Sequence, residues 1–447
     1  MPSKPDILAI ADDLVARARA AGADAADAVA VTGTALGVSR RMRKPQSLER
    51  SESTDLGLRV LVRNRQAIAS TSDVSHRSLD EVVARALAMA RSVPDDPYCG
   101  LADPELLATE IAELDIAVAD EPTLETLVDW ATRAEDAALA VDGVTNSEGA
   151  DASWARTGIA LAASNGFAAT YERSRCSISV AVLAGEGTAM ERDYDSFSTI
   201  HTEDLPKPES LGRAAGEKAV RRLNPRKAQS ARLPVVYDPR VARGVLSHLA
   251  SAINGASVAR GTTFLKDRME KAIMPASVTV VDDPLRRRGL RSRPFDGEGV
   301  AQRRFEVVRG GVLTTWILDS RSARQIGMQT TGHAARGTSS PPSPSTTNLY
   351  LEAGDASPAE LMADIQAGLY VTEMIGFGVN TLTGDYSRGA SGFWIENGTL
   401  GYPVSEVTVA GNLSEMFMNM RVANDLEFRY GTDSPTLRID GMTIGGQ

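Results

Sequence analysis

The spacing of hydrophobic and polar residues predicts helices that alternate with antiparallel strands. The first apolar stripe repeats at helical intervals and consists of Ile7, Ile10, Leu14 and Ala18. "DAVAVTG" at residues 27 to 33 then alternates with a strand-like period, and further strand-like runs follow up to residue 71. A tight turn near Asn64 joins the last two runs, which indicates an antiparallel meander. Because alternate residues of these runs are charged, we expect one face of the sheet to meet water.

Residues typical of turns and helix caps predict the positions of the next helices and strands. Ser78 and Glu81 have the spacing of a capping box, in which two side chains satisfy free amides at the start of a helix. A second helix is predicted over about residues 123 to 140. Asn165-Gly166 lies between two alternating runs and predicts a β-hairpin. A helix over about residues 208 to 223 closes this half of the chain.

The second half mixes short strands and helices with two polar segments. One predicted helix carries His248, and Gly310-Gly311 marks a hairpin turn. Residues 327 to 347 are rich in Gly, Ser, Thr and Pro and have almost no apolar residues, so we expect a mobile loop there. Residues 376 to 411 form a second, glycine-rich segment.

These patterns predict an α+β protein of two domains, because the regular strand–helix alternation of a doubly wound sheet is absent. With 447 residues, the chain is longer than the roughly 250 to 300 residues that one hydrophobic core serves. The N-terminal domain, residues 1–229, is expected to layer helices on an antiparallel meander. The C-terminal domain, residues 230–447, is expected to be mixed, largely antiparallel and β-rich, with helices.

Composition and charge argue against nucleic acid and membranes as partners. Lys and Arg number 48 against 58 Asp and Glu, and the net charge of −10 opposes attraction to phosphate backbones. The densest basic cluster, Arg286 to Arg293, has no interleaved aromatic residues. We interpret it as a solvated or interface segment, with an anion site as the alternative. No run approaches the ~18 apolar residues that span a bilayer.

Cysteine usage and the first residues point to the cytoplasm. Cys99 and Cys176 are the only cysteines and lie in unrelated contexts, so neither a disulfide framework nor a Cys-X-X-Cys site is expected. The N-terminal stretch is an amphipathic helix that contains Asp12 and Asp13, unlike a secretory signal. We therefore expect a cytoplasmic protein.

The four histidines do not have the spacing of a zinc site. A helix that binds zinc needs a second ligand three to five residues from the first, and no two of these histidines are that close. His248 is followed by Leu249 and, five residues on, by Ile253, where an HExxxH motif has glutamate and histidine. From spacing alone His248 is a packed or hydrogen-bonded residue, with a ligand or an acid–base group as the alternative.

Two acidic clusters and one serine carry weaker signals. Asp282-Asp283 and Asp193-Tyr194-Asp195 lack the ligand spacing of a calcium loop, so turn-forming aspartates are the first interpretation and a cation site the second. Ser391 in "GASG" lacks the complete G-x-S-x-G elbow of serine hydrolases.

Residues 379 to 413 are the most informative segment. They concentrate glycines around large and charged side chains, so backbone freedom and recognition groups occur together. One interpretation is a set of hairpin turns, and the other is a surface that receives an extended peptide by strand pairing. The candidate substrate-binding residues are Asp385, Tyr386, Arg388, Ser391, Phe393 and Trp394.

This segment also carries a family resemblance. "TGDYSRGASGFWIENG" and "YPVSEVTVAGNL" resemble the signature of the TldD/PmbA family of metallopeptidase-related proteins. Similar matches are "VVYDPRVARGVLSHLASAINGASVARGTTFL", "TNLYLEAG" and "RIDGMTIGG". The resemblance covers the C-terminal half almost throughout and is less specific in the N-terminal half.

The resemblance implies a pair of subunits, of which only the TldD type carries zinc on HExxxH with a cysteine near the C-terminus. Here Leu249 and Ile253 replace the glutamate and the second histidine, and Met442 stands where the cysteine would fall. One neutral imidazole does not hold zinc, and without the glutamate no base activates a bound water. The chain therefore resembles the metal-free TldE/PmbA subunit, with His248 as a degenerate metal-site position.

From this resemblance we expect a non-catalytic subunit that helps to form the cleft of a zinc metallopeptidase for unfolded peptides. Zinc is expected in a TldD-like partner and not in this chain, and the substrate is expected to pair with the backbone of residues 384 to 398. The alternative is a homodimeric peptide-binding or scaffold protein without a catalytic partner. Independent hydrolysis by His248, Asp385 or Ser391 is a third interpretation.

Overall fold

A computed structural model describes residues 6 to 446, so residues 1 to 5 and 447, at the outer ends of the two predicted domains, lie outside the described residues. Its α-helices are α1 (Ile7–Ala20), α2 (His76–Ser92), α3 (Leu124–Leu139), α4 (Pro208–Arg221), α5 (Pro239–Ala252), α6 (Gly255–Ala259), α7 (Ser320–Gln325), α8 (Pro358–Met362) and α9 (Leu413–Met418). The strands of the first half are β1 (Ala25–Arg41), β2 (Lys44–Val62), β3 (Arg65–Thr71), β4 (Val144–Ala163), β5 (Ala168–Ala184) and β6 (Glu191–Thr199). Those of the second half are β7 (Ala231–Tyr237), β8 (Val280–Asp282), β9 (Phe305–Arg309), β10 (Val312–Leu313), β11 (Ala334–Ala335), β12 (Ser343–Pro344), β13 (Leu349–Leu351), β14 (Ala367–Ile375), β15 (Asp385–Glu396), β16 (Thr399–Asn412), β17 (Met420–Val422), β18 (Thr432–Asp433) and β19 (Leu437–Gly445).

The first half is one six-stranded antiparallel sheet with helices on one face. The strand order is β3-β2-β1-β4-β5-β6. Helices α1 and α2 bury small and aliphatic side chains against β1, β2 and β4, and α3 and α4 form a second cluster around Trp154 and Ile178. The predicted hairpin at Asn165-Gly166 is the β4–β5 turn, where Gly166 takes a φ of 97°.

Helix α2 begins earlier than the capping-box pattern indicated. Ser75 is its N-cap, and the Ser75 hydroxyl accepts a hydrogen bond from the Ser78 amide at 3.4 Å. The Ser78 hydroxyl is 3.0 Å from that of Thr71 at the end of β3. The predicted box at Ser78 and Glu81 is wrong because Ser75 also has a hydroxyl at the correct distance from a free amide.

The second face of the first sheet is covered at Arg59, whereas other charged residues of β2 on this face, such as Glu49 and Asp55, are exposed. Arg59 and Asp27 lie opposite each other on β2 and β1 and are only 3% and 2% exposed. The Arg59 Nε donates to Asp27 at 2.9 Å, and Arg336 from the second half also donates to Asp27. The expectation of a wet face is wrong here because the second half covers it and the charges are paired.

Two further buried carboxylates lie beside this contact. The Glu298 carboxylate accepts a hydrogen bond from the Ser320 amide at 2.8 Å, and the Asp296 carboxylate accepts from the amides of Val300 and Ala334. Burial raises the pKa of Glu298 to about 7, and the negative charge of Asp296 adds to the shift. Glu298 is therefore partly protonated in the folded protein near neutral pH.

A closed barrel organises the second half. β7, β14, β15, β16 and β19 pair in that order, and β16 also pairs with β19, which joins the two ends. The β7–β14 pair is parallel and the others are antiparallel, so the mixed, largely antiparallel prediction is confirmed. A separate five-stranded sheet has the order β10-β9-β8-β13-β18.

Both polar segments of the second half contain paired strands and buried residues that their composition did not predict. Residues 376 to 411 include most of β15 and β16, two long barrel strands. Residues 327 to 347 pack against the core, since His333 is 1% exposed and β11 pairs with β12. The mobility of this segment stays a prediction, but His333 anchors its centre, because the His333 ring meets Asp282 and Thr331, which satisfies its polar atoms in the interior.

The α+β class is confirmed, whereas the boundary between residues 229 and 230 stays a prediction. Across residues 6 to 446, no helix is long and apolar enough to cross a bilayer.

Two helical glycines give a matched test of the packing. A Cβ on Gly212 of α4 would overlap the Ala134 carbonyl oxygen of α3, whereas a Cβ on Gly244 of α5 meets nothing within 4 Å. Gly212→Ala should lower the free energy of unfolding by ~1–3 kcal/mol through overpacking. Gly244→Ala should raise it by ~0.5–1 kcal/mol, because alanine loses less backbone entropy. Urea denaturation measures both, and equal effects of the two substitutions would contradict the close α3–α4 contact.

The buried carboxyl of Glu298 predicts a pH dependence of stability. Its pKa in the folded protein is about 7, above the ordinary value, so the folded state binds the proton more tightly than the unfolded state. Its contribution is fully present below the ordinary pKa and is lost as pH rises through about 7. Glu298→Gln should therefore flatten the fall in stability between pH 5 and 8. Urea midpoints at each pH measure this, with exposed Glu81→Gln as control; identical slopes for wild type and Glu298→Gln would refute it.

Candidate functional site

Helix α5 carries the degenerate metal-site histidine. Asp238 caps the helix by accepting from the Arg240 amide at 3.1 Å, and Pro239 occupies the first turn, where no amide is needed. The inward stripe follows the helical period and consists of Ala242, Val245, Leu246, Leu249 and Ala252. His248 lies at the margin of this stripe and is half-buried.

The His248 ring packs against a barrel strand. Its centroid is 5.8 Å from that of Tyr386 on β15, with the ring planes at 77°. The Nε2 atom is buried and has no hydrogen-bond partner among the described residues. Burial lowers the pKa of His248, and the positive charge of Arg388 lowers it further. His248 is therefore a neutral imidazole at neutral pH, packed edge to face against an aromatic ring.

The positions that would complete a zinc site contain apolar core residues. Leu249 and Ile253 are fully buried, and Met442 on β19 is 2% exposed. All three belong to the same hydrophobic cluster. In the part of the chain from residue 6 to 446, no group of three or more His, Cys, Asp or Glu side chains is placed to hold a metal ion. The donor set around His248 does not fit zinc, because apolar residues stand at the other three positions of the site.

The backbone of β15 is fully used by the barrel. One edge pairs with β14 from Gly389 to Glu396, and the other pairs with β16 along the whole strand. The remaining stretch of the first edge meets residues 378 and 379, where the Ser387 amide donates to Gly378 at 2.7 Å. The expectation that residues 384 to 398 pair with a substrate strand is wrong for most of β15, because both of its edges already pair with neighbouring strands or with residues 378 and 379.

The six candidate side chains of β15 do not form one surface. Asp385 is exposed and accepts from the Thr383 hydroxyl at 2.6 Å, so it shapes a turn. Tyr386 is 3% exposed, and burial raises its pKa to about 12. Arg388 is half-buried and its Nε donates to the Gly376 carbonyl at 2.9 Å. Only Arg388 among these three is placed both near His248 and at an open surface.

The last three candidates lie at or beyond a bulge in β15, and two of them contact the first half. Ser391 is 5% exposed, and its hydroxyl accepts from Arg222 Nη2 at 3.2 Å. Phe393 is 7% exposed and lies under the Arg221 guanidinium at 4.9 Å. Trp394 stacks on Tyr402, with ring centroids 6.3 Å apart. A Ser–His hydrolase arrangement is absent at Ser391 because its side-chain partner is an arginine.

An open groove of about 460 Å³ lies along the outer face of α5. We call it the α5 groove. It is bounded by Arg222, Arg240, Gly244, Ser247, Glu373 and Arg388. Gly244 has no side chain, so the surface of α5 is recessed there. Ser247, which immediately precedes His248, is exposed. The groove therefore combines charged side chains of both halves of the chain with the helix that carries the degenerate metal position.

A buried ion network forms one wall of the α5 groove. Asp193 on β6 is 2% exposed and receives two hydrogen bonds from Arg240 at 2.6 and 3.1 Å. Arg222 lies 3.6 Å from the Asp193 carboxylate and 2.5 Å from that of Glu373. Burial opposes ionisation of Asp193, but the hydrogen bonds and charge of Arg240 outweigh it and lower its pKa. The network joins β6 of the first half to α5 and β14 of the second.

Sequence reasoning missed the members of this network. Asp193 and Asp195 were expected in turns, but both lie on β6 and pair with arginines and a lysine. Asp282 likewise lies on β8 and accepts from the Thr347 amide at 2.7 Å, although Asp283 does shape a turn. The alternating Asp-Tyr-Asp pattern was a usable signal, since period two places both carboxylates on one face of a strand.

Removal of the Asp193 charge tests the network. Asp193→Asn keeps the shape but leaves Arg222 and Arg240 without their shared carboxylate. We expect a loss of about 3–5 kcal/mol in the free energy of unfolding, as for other broken buried pairs. The exposed pair Arg77–Glu81 supplies the control, because Glu81→Gln should leave stability nearly unchanged. Urea denaturation measures both variants, and an equally small effect of Asp193→Asn would show that the network contributes little.

The chain matches three family domains along most of its length. Residues 26–90 match "PmbA/TldA metallopeptidase domain 1", residues 118–223 the "central domain" and residues 230–446 the "C-terminal domain". Two curated relatives cover nearly the whole chain. "Metalloprotease PmbA" of Escherichia coli O157:H7 is 38% identical over 95% of this chain and 93% of its own. "Metalloprotease PmbA homolog" of Haemophilus influenzae is 37% identical over the same shares.

Solved structures have the same fold. A Bacteroides thetaiotaomicron protein described as a candidate modulator of DNA gyrase superposes with a TM-score of 0.90 at 26% identity, over 98% of each chain. TldE of Thermococcus kodakarensis superposes with a TM-score of 0.88 at 18% identity, over 98% of this chain and 100% of its own, which shows the fold alone. "Metalloprotease TldD homolog" of Buchnera aphidicola is 24% identical over 64% of this chain and 65% of its own. This chain therefore belongs to the PmbA/TldD family and is a PmbA-like, metalloprotease-related protein.

Proposed function

We propose that this chain is the non-catalytic subunit of a cytoplasmic TldD/TldE-type zinc metallopeptidase complex that processes unfolded peptides. The observation that carries the proposal is the burial of Leu249 and Ile253 in the core at the positions of the missing base and second ligand. Without them His248 has no co-ligand and no base beside it, so the hydrolytic water must be activated elsewhere. A zinc-bearing paralogue with HExxxH is the partner that supplies this chemistry.

The α5 groove supports a role in substrate contact through side chains. Since β15 has no free backbone edge, an extended peptide near α5 would meet Ser247, Glu373 and Arg388. These groups offer a hydroxyl, a carboxylate and a guanidinium, which can bind the amides and carbonyls of varied sequences. Such contacts favour an unfolded peptide, because a folded protein has its backbone groups already paired.

An exposed apolar tip beside the groove supports a protein partner. The connection between β14 and β15 exposes Phe377 fully, and Ile375 and Leu382 are 60% and 54% exposed. The Gly376 carbonyl of this tip accepts from Arg388, which lines the α5 groove, so the tip lies next to the groove. Large exposed aromatic and aliphatic residues in one place mark an interaction surface. We assign this tip to the contact with the zinc-bearing subunit.

Co-expression with the HExxxH-bearing paralogue of the same genome tests the proposal. We expect the two chains to co-purify in equal amounts, with zinc bound to the partner. Phe377→Glu should reduce co-purification at least tenfold, because a buried unpaired charge is costly at an interface. Met89→Glu is the matched control, since Met89 is a 44% exposed residue on α2 and should leave assembly unchanged.

Metal analysis of the isolated chain separates the alternatives. Near-stoichiometric zinc that is lost in His248→Ala would contradict the non-catalytic assignment. Failure of the paralogues to co-purify, together with a stable homodimer of this chain, would favour the homodimeric scaffold. Peptide hydrolysis by the isolated chain that survives a chelator and is lost in Ser391→Ala would favour independent hydrolysis.

A further inference from the structure

A cavity of about 340 Å³ lies between the two halves, on the face of the first sheet that carries no helices. One wall is apolar and is formed by Val31, Ile159 and Leu161 of β1 and β4. Tyr171 and Phe295 add an edge-to-face ring pair with centroids 5.1 Å apart. This volume lies within the range of small-molecule sites and far exceeds the ~30 Å³ of one water molecule.

The opposite wall carries guanidinium groups with unused donors. The Arg336 side chain is only 2% exposed, and its Nη1 donates to Asp27. The Nε and Nη2 atoms of Arg336 are buried and have no hydrogen-bond partner in residues 6 to 446. Arg293 repeats the arrangement: Nη1 donates to the Ala334 carbonyl at 2.8 Å, and its Nε and Nη2 are buried without a described partner.

The carboxylates near the cavity are already occupied. The two oxygens of Asp296 accept from the amides of Glu298, Val300 and Ala334 at 2.8 to 3.0 Å. Those of Asp27 accept from Arg59 and Arg336. Neither carboxylate therefore has an oxygen without a partner, and the remaining donors of the two arginines are unpaired within residues 6 to 446.

The electrostatic field of the cavity favours an anion. Arg173 and Arg291 line it in addition to Arg293 and Arg336, whereas Asp296 is the acidic residue in its lining. Buried guanidinium donors without acceptors cost free energy, and a carboxylate satisfies two of them at once in a planar, bidentate contact. A ligand that fills the cavity also covers the apolar wall, so it needs a non-polar part.

We propose that this cavity binds a small organic anion, with a carboxylate on Arg293 and Arg336 and an apolar body against Ile159 and Phe295. The site belongs to this chain alone and stands apart from the α5 groove, so it is independent of the proposed partner and of peptide cleavage. Such an anion reaches the cavity from one of two sources that share this chemistry. One is a free small acid, and the other is the C-terminal carboxylate of a peptide.

Calorimetric titration of the isolated full chain with benzoate and with benzamide tests the proposal. The two probes have nearly the same shape and differ in charge, so benzoate should bind at least tenfold more tightly. Arg293→Gln should weaken benzoate at least tenfold and leave benzamide unchanged, because it removes the charge that meets the carboxylate while the amide of Gln can still donate to the Ala334 carbonyl. Exposed Arg77→Gln is the matched control for loss of one positive charge.

A second variant tests whether lost binding results from a blocked cavity or from unfolding of the protein. Val31→Phe places a ring in the cavity from the apolar wall and should abolish benzoate binding, while circular dichroism and the unfolding midpoint confirm the fold. Equal binding of benzoate and benzamide, or undiminished benzoate binding in both variants, would overturn the proposal.

Further probes distinguish the sources of the carboxylate. Acetyl-phenylalanine represents the free acid, and acetyl-Ala-Ala-Phe with a free or amidated terminus represents a peptide end. Binding of the tripeptide acid but not of its amide assigns the site to peptide termini; binding of acetyl-phenylalanine alone assigns it to small acids. Tighter binding of inorganic phosphate than of any carboxylate, or binding of none of these anions at millimolar concentration, would refute the carboxylate assignment. Because the titration uses the isolated chain, an absence of anion binding does not contradict the proposed subunit role. Failure to assemble with a partner likewise does not contradict anion binding by this cavity.

Discussion

Closure of the five-stranded barrel is the constraint on which the second half of the chain depends. Once β16 pairs with β19 through residues 408 to 410, each of β7, β14, β15, β16 and β19 has a neighbour on both sides. The glycines of β15 serve this geometry, since Gly392 approaches the β14 backbone at Tyr370 too closely for any side chain. The same closure presents Tyr386 to His248. Recognition near α5 must therefore use side chains and loops.

Buried charge joins the two halves of the chain at two separate places. Asp27 on β1 holds Arg59 of its own sheet and Arg336 of the second half, while Asp193 on β6 holds Arg240. Each carboxylate would be costly to bury alone, and each is stabilised because cationic partners reach it from both halves. The interface is consequently specific in geometry, as the donors of an arginine fit a carboxylate in few orientations. The α5 groove lies beside the Asp193 contact, and the cavity lined by Arg293 and Arg336 lies beside the Asp27 contact.

Local patterns in the sequence predicted local structure well. The stripe from Ile7 to Ala18 is a helix, Thr123 caps α3, and Asn165-Gly166 turns the β4–β5 hairpin. Errors arose where distant residues decide. The role of Arg59 depends on Arg336, which is far away in the chain, and β15 appeared as turns because its glycines serve close strand packing rather than flexibility. For the site, spacing identified His248 and its missing co-ligands, but no local signal connects Ser391 to Arg222 or Asp193 to Arg240.

The residues around His248 anchor helix α5 by apolar packing. In a zincin helix, the glutamate and second histidine are polar groups that metal and water must satisfy. Leu249 and Ile253 instead belong to one hydrophobic cluster with Met442, so the helix is anchored by apolar burial. The histidine that remains is neutral and packs on Tyr386, so no charge is buried with it. Apolar burial therefore fixes the position of α5 against the barrel, and the proposed division of labour with a zinc-bearing partner requires no polar ligand set on this helix.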